Sequence, residues 1–209
     1  MEIHRIQSWP RELAQNCWVL REKNLATVID PGCENAGQIL DVLQNRAKIA
    51  AILLTHHHSD HTRALADLVG QTEAPIFIHS DDAEIVENGW LALKKISKPE
   101  KPIRLATQPI RDRQILKFGD LQIEVIATPG HTLGSVCFLV GNHLFSGDTL
   151  FRENVGRTDL FGGNKNDLQK NLTRLLELPK ETIVHPGHGD DWTIGAAREF
   201  FEKNRAFFI

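Results

Sequence analysis

Thr55-His56-His57-His58-Ser59-Asp60-His61 follows directly on the most apolar run of the chain, Ile49-Ala50-Ala51-Ile52-Leu53-Leu54. An unbroken aliphatic run of this length reads as a strand buried on both faces, the kind found inside a sheet flanked by helices. Four imidazoles and a carboxylate at the mouth of such a strand point to a metal site. His56 and His58 are two apart, so an extended backbone aims both rings to one side, while His57 points away. The chain must turn at Ser59, and Asp60 and His61 then face a second point in space, where a following helix would start. Neutral imidazole and carboxylate suit zinc or iron. The alternative is a solvated histidine cluster of the kind found in tags. A strand leading in and an amphipathic stretch leading out argue against it.

Outward from this stretch the pattern is βαβα. Residues Cys17 to Leu20 and Ala26 to Ile29 are short apolar runs around polar Arg21 to Asn24, which predicts a hairpin ended by Asp30-Pro31-Gly32. Ile39, Leu40 and Leu43 recur at helical spacing between Asn35, a natural N-cap, and Asn45. Thr62 to Val69 is expected as a helix, Ile76 to His79 as a strand and Asp81 to Glu87 as a helix. Between Trp90 and Arg113 periodicity is lost, prolines recur and basic residues crowd together. Hairpins are expected around Gly119-Asp120 and Gly141-Asn142. Asn166 to Leu176 reads as a helix, Thr182 to Val184 as a strand and Thr193 to Lys203 as a last helix. The fold class is therefore α/β, with two mixed sheets packed together and helices outside, and residues 1–209 are read as one domain.

Three further positions offer ligands, each where a predicted strand ends beside glycine: His131 in Thr128-Pro129-Gly130-His131, Asp148 in Ser146-Gly147-Asp148, and His188 in His185-Pro186-Gly187-His188. Glycine there lets the backbone approach a site without a side chain in the way. Taken singly, each reads more readily as a turn residue. Together they complete a count: His56, His58 and His131 on one ion, Asp60, His61 and His188 on a second, and Asp148 bridging both. A bridging water or hydroxide would fill the open position that catalysis needs.

Composition narrows the setting. The 209 residues carry a net charge of -3, which gives no reason to expect nucleic-acid or membrane binding. Three cysteines without CxxC spacing suggest neither a disulfide framework nor a cysteine zinc site, and a reducing, cytoplasmic compartment fits. No run approaches the ~20 residues of a membrane-spanning helix.

His-x-His-x-Asp-His at 56–61, Pro-Gly-His-Thr at 129–132, Ser-Gly-Asp-Thr-Leu-Phe at 146–151, Gly-Arg-Thr-Asp at 156–159 and Pro-Gly-His-Gly at 186–189 resemble the metallo-β-lactamase superfamily. Most closely they resemble its glyoxalase II (hydroxyacylglutathione hydrolase) branch, over the stretch from Asn16 to Asp190. The resemblance implies an αββα sandwich with a dinuclear site at the edge between the sheets. It also implies a hydrolase using two divalent metal ions, zinc first, with iron or manganese as alternatives. Long-form members carry a C-terminal helical domain and tyrosines near the site. Here the chain ends soon after His188, it contains no tyrosine, and Asp159 and Asp190 stand where those tyrosines are expected. The sequence looks like the short, single-domain form.

The expected function is thus hydrolysis of a small-molecule thioester of the hydroxyacyl-glutathione type by a metal-bridging hydroxide, with Asp60 both ligand and catalytic group. The alternative is a persulfide dioxygenase with mononuclear iron, against which a complete second ligand set argues. Arg157 is a candidate substrate-binding residue, or a partner of Asp159. His57 is expected to face away from the ions. His185 either orients His188 or decorates a surface turn, and Trp90 either roofs the site or fills core. The basic stretch Lys94 to Arg113 is either a solvated loop or a cationic surface for a carboxylate-bearing thiol.

Overall fold

Alternation along one strand sorts the layers. In β2 (Asn16–Glu22), Cys17 and Val19 join a core shared with helices, while Trp18 and Leu20 join a core shared with the opposite sheet. That period of two is what a strand covered on both faces requires. The structure is a computed structural model describing residues 1–8, 14–93 and 105–204. The side chain of Trp90 and the basic residues of 94–104 lie outside the described residues.

One sheet has the order β1 (Glu2–Gln7), β2, β3 (Leu25–Ile29), β4 (Lys48–Leu53), β5 (Ile76–His79), β6 (Thr107–Ile110). Its first pairings are antiparallel, and β3 to β6 run parallel. The second sheet takes β7 (Ile115–Phe118), β8 (Leu121–Ala127), β9 (Val136–Val140), β10 (His143–Gly147), β13 (Ile183–Pro186) and β14 (Trp192–Thr193), in the order β14-β13-β10-β9-β8-β7. It is antiparallel except where β10 meets β13. Two short strands, β11 (Leu150–Phe151) and β12 (Asn154–Val155), pair with each other.

Between the sheets lie Trp18, Leu20, Ile29, Leu53, Phe138 and Phe145. Helices α1 (Ala36–Leu43), α2 (Leu65–Thr72) and α3 (Ser80–Leu93) cover the outer face of the first sheet through Ile39, Leu65, Leu68 and Val86. Helices α4 (Lys165–Leu175) and α5 (Ile194–Lys203) cover the second through Leu168, Leu172 and Ile194. The order helix, sheet, sheet, helix matches the expected architecture. No described helix is long and apolar enough to cross a membrane.

Asn35 caps α1 as expected, accepting from the N–H of Gln38 at 3.3 Å. Five strands, β1, β6, β11, β12 and β14, lie outside the sequence expectation. β1 has a single buried residue, Ile6, so it shows no alternation to read. β6 falls in the proline-rich excursion, where Pro109 is tolerated because β6 is an edge strand. β14 has only two residues. Helix α2 starts at Leu65 and not at Thr62, because the preceding residues are spent on the turns that present Asp60 and His61.

Candidate metal centre

The side chains singled out as ligands come together where strand ends of the two sheets meet. His56, His58, Asp60 and His61 follow β4, His131 follows β8, Asp148 follows β10 and His188 follows β13. Each lies past the carboxyl end of its strand, where the ladder stops and the backbone is free to turn.

His56 Nε2 and His131 Nε2 lie 3.1 and 2.9 Å from His58 Nδ1. Nitrogens at 2.0–2.1 Å around a tetrahedral zinc would stand about 3.3 Å apart, so this spacing suits one ion. The second set is Asp60, His61 and His188. His188 Nε2 lies 3.2 Å from Asp60 Oδ2 and 3.3 Å from His61 Nε2. Asp148 stands between the sets, with Oδ1 3.2 Å from His61 Nε2 and Oδ2 3.5 Å from His131 Nε2. Its Oδ1 is buried without a hydrogen-bond partner, as suits an atom whose partner is a cation. The triads His56/His58/His131 and Asp60/His61/His188 each have their donor atoms within 4.8 Å of one another and can hold a metal ion.

The far side of each ring fixes its tautomer. His131 Nδ1 donates to the carbonyl of Arg157 at 2.7 Å and His188 Nδ1 to that of Ala14 at 3.1 Å. His61 Nδ1 lies 2.9 Å from Asp30 Oδ2. The Thr55 hydroxyl donates to Asp30 Oδ2 at 2.6 Å, so toward His56 Nδ1, at 3.0 Å, it can only accept. Four rings therefore anchor Nδ1–H on the protein and aim Nε2 inward, the arrangement that metal-binding histidines adopt.

Electrostatics follow the same division. Burial and the neighbouring imidazoles push His56 far down and bring His58 to about 4, so both rings are neutral at pH 7. Burial also presses His61 down, but the carboxylates of Asp148 and Asp30 outweigh it and raise the ring. Burial disfavours the Asp60 and Asp148 anions, yet the histidines beside them hold both carboxyls below the usual range. The carboxylate end of the centre thus favours positive charge, and the imidazole end offers lone pairs.

Glycine shapes the approach. A Cβ on Gly187 would stand 2.6 Å from His61 Cε1, so the turn carrying His188 closes on the centre only without one. Other candidate residues have different partners. His57 turns away, its Nδ1 2.9 Å from Asp82 Oδ2. Arg157 makes a two-pronged pair with Asp159, both bonds 2.7 Å, on the exposed surface. It meets the centre through its backbone carbonyl. His185 is buried and lies 2.9 Å from His143 Nδ1 and 3.0 Å from Asp191 Oδ2, so it neither orients His188 nor decorates a surface turn. Asp30 was legible only as part of the Asp-Pro-Gly stop, and nothing local marks it as the support of His61.

Two sheets with a histidine-aspartate centre at their strand ends define a metal-dependent hydrolase scaffold. The family model described as Metallo-beta-lactamase superfamily matches residues 10–188, and the chain belongs to that superfamily. An uncharacterized protein of Mycobacterium leprae is 35% identical over 218 residues, covering 93% of this chain and 96% of that protein. A hydroxyacylglutathione hydrolase of Methylobacillus flagellatus is 34% identical over 193 residues, covering 92% of this chain and 65% of that protein. Among solved structures, TTHA1623 in a di-iron-bound form aligns with a TM-score of 0.79 at 36% identity, covering 94% of this chain and 98% of its own. The BLEG-1 B3 metallo-β-lactamase aligns at 0.81 and 30% identity over 95% of this chain and 97% of its own. ETHE1 from Myxococcus xanthus aligns at 0.75 and 27% identity over 94% and 82%.

Proposed function

We propose that the protein hydrolyses thioesters of the hydroxyacyl-glutathione type at a centre of two metal ions. His56, His58 and His131 would hold one ion, Asp60, His61 and His188 the other, and Asp148 both. The observation that carries this reading is the position of Asp148 between the sets, Oδ1 toward His61 and Oδ2 toward both His131 and His188. Divalent cations there would supply a water of lowered pKa and a Lewis acid for the carbonyl oxygen. The chain's own groups do the rest. Asp60, partly exposed and held ionised by His188 and His61, accepts the proton of the attacking water. The Nδ1 bonds to Thr55, Asp30, Arg157 and Ala14 keep the four rings from turning as charge builds.

The hydroxyacylglutathione hydrolase relative supports the substrate class. ETHE1 is the specific observation favouring the second reading, a persulfide dioxygenase with one iron. A complete Asp60/His61/His188 set weighs against it, since one iron would leave those donors idle. Zinc is the first metal proposed, and the di-iron neighbour keeps iron in view. Elemental analysis of untagged protein, paired with assays on a thioester panel and on glutathione persulfide with an oxygen electrode, decides. Two ions per chain and thioester cleavage without oxygen uptake are expected. One iron per chain with persulfide-dependent oxygen uptake and no thioester cleavage would overturn the proposal.

A further inference from the structure

The first ligand set is split between two loops: His56 and His58 lie on one, and His131 lies 73 residues from His58 on the other. A single buried carboxylate ties the loops together from behind. Asp82, in the first turn of α3, is 1% exposed. Its Oδ2 accepts from the N–H of His57 at 3.0 Å and from the Thr132 hydroxyl at 2.8 Å, and lies 2.9 Å from His57 Nδ1. Its Oδ1 accepts from the N–H of Gly134 at 2.9 Å. His57 sits between the ligands His56 and His58, and Thr132 follows the ligand His131. The fit is close, since a Cβ on Gly134 would stand 2.6 Å from Asp82 Cγ.

A buried carboxylate is costly unless its lone pairs are filled, and here donors from both loops fill them. The α3 N-terminus accounts for a negative charge in this turn. It does not account for that charge being aimed at two ligand loops. The second set has other supports, Asp30 behind His61 and the Ala14 carbonyl behind His188.

We infer that Asp82 is a positioning residue of the metal centre: by holding His57 and Thr132 it makes the rings of His56, His58 and His131 converge, while His61 and His188 have further supports of their own. This rests on reading the two sets as metal sites.

Cobalt(II) titration of metal-free protein, followed by visible absorption and elemental analysis, tests it in wild type, Asp82→Asn, Thr132→Val and Val86→Ala. Val86 lies one turn along α3 and packs only in the helix-side core, so its truncation destabilises without touching the loops. Wild type should show two binding events. Asp82→Asn should weaken one of them about tenfold, the low end of what support residues contribute, and the other less. Thr132→Val should weaken the same event less, and it carries the test if Asp82→Asn does not fold. Val86→Ala, at an equal loss of Tm, should bind as wild type. Wild-type binding by Asp82→Asn, or equal losses in Val86→Ala, would overturn the assignment. One binding event in wild type would instead sink the dinuclear reading. Asp82 would then stand if Asp82→Asn weakens that event and fall if it does not.

Discussion

Asp30 Oδ2 stands 2.9 Å from His61 Nδ1, and the same carboxylate takes both the backbone N–H of Thr55 at 2.7 Å and its hydroxyl at 2.6 Å. One buried group thus orients a ligand ring and pins the start of the ligand loop. Asp30→Ala should weaken metal binding at the Asp60/His61/His188 set by about 10–100-fold. It should also cost roughly 2–4 kcal/mol of stability, because two buried Thr55 donors lose their acceptor. Chelator competition and urea unfolding measure the two effects. Full metal affinity in the folded variant would remove Asp30 from the support of His61.

Asp148→Asn should lower occupancy of both ions together, since the same carboxylate faces His131 of one set and His61 and His188 of the other. Metal content after dialysis against a weak chelator reads this directly. Loss of one ion alone would show that Asp148 belongs to a single set.

Asp60→Asn should lower kcat far more than it raises KM, because the amide cannot take the water's proton while substrate binding is untouched. Steady-state kinetics at verified metal content checks it. An unchanged kcat would take Asp60 out of the chemistry.

Far from the centre, Arg174 of α4 grips Asp112 at 2.8 and 3.1 Å, and the N–H of Ala127 adds a third bond at 2.8 Å. Burial alone would raise the Asp112 carboxyl; Arg174 and the Ala127 N–H outweigh it and hold the group below its ordinary 3.8. A depressed folded value means that the contribution is complete above the unfolded pKa, near ~3.9, and is lost as pH falls through the lower folded value. Wild type should therefore lose stability relative to Asp112→Asn below about pH 4. Parallel urea melts from pH 6 to pH 3 measure the difference, and a gap independent of pH would refute the assignment.

The candidate ligands are legible because their chemistry and their spacing agree: imidazoles two apart past an apolar strand leave little else to read. Hairpins at Gly119-Asp120 and Gly141-Asn142 were legible for the same reason, since both turns carry glycine in the left-handed region. The supports of the ligands were not. Asp30 and Asp82 look in sequence like a turn residue and a helix-start acid, and only tertiary contact gives each its role. His143 and His185 pair across neighbouring strands β10 and β13, a relation that no local pattern encodes. β1 is not legible in the sequence because its pairing with β2, and not an apolar face, keeps it in the sheet.

His61 and His188 come from different sheets and are separated by 127 residues, yet their Nε2 atoms lie 3.3 Å apart. A cation gripped by both would act as a removable rivet through the sandwich, shortening the free chain as a cross-link does. Such a rivet strengthens the fold by mass action, about 2.7 kcal/mol at a free-ion level one hundred times the dissociation constant. The protein's persistence in solution would then follow the supply of metal, and starvation would first loosen the two sheets from each other at this edge.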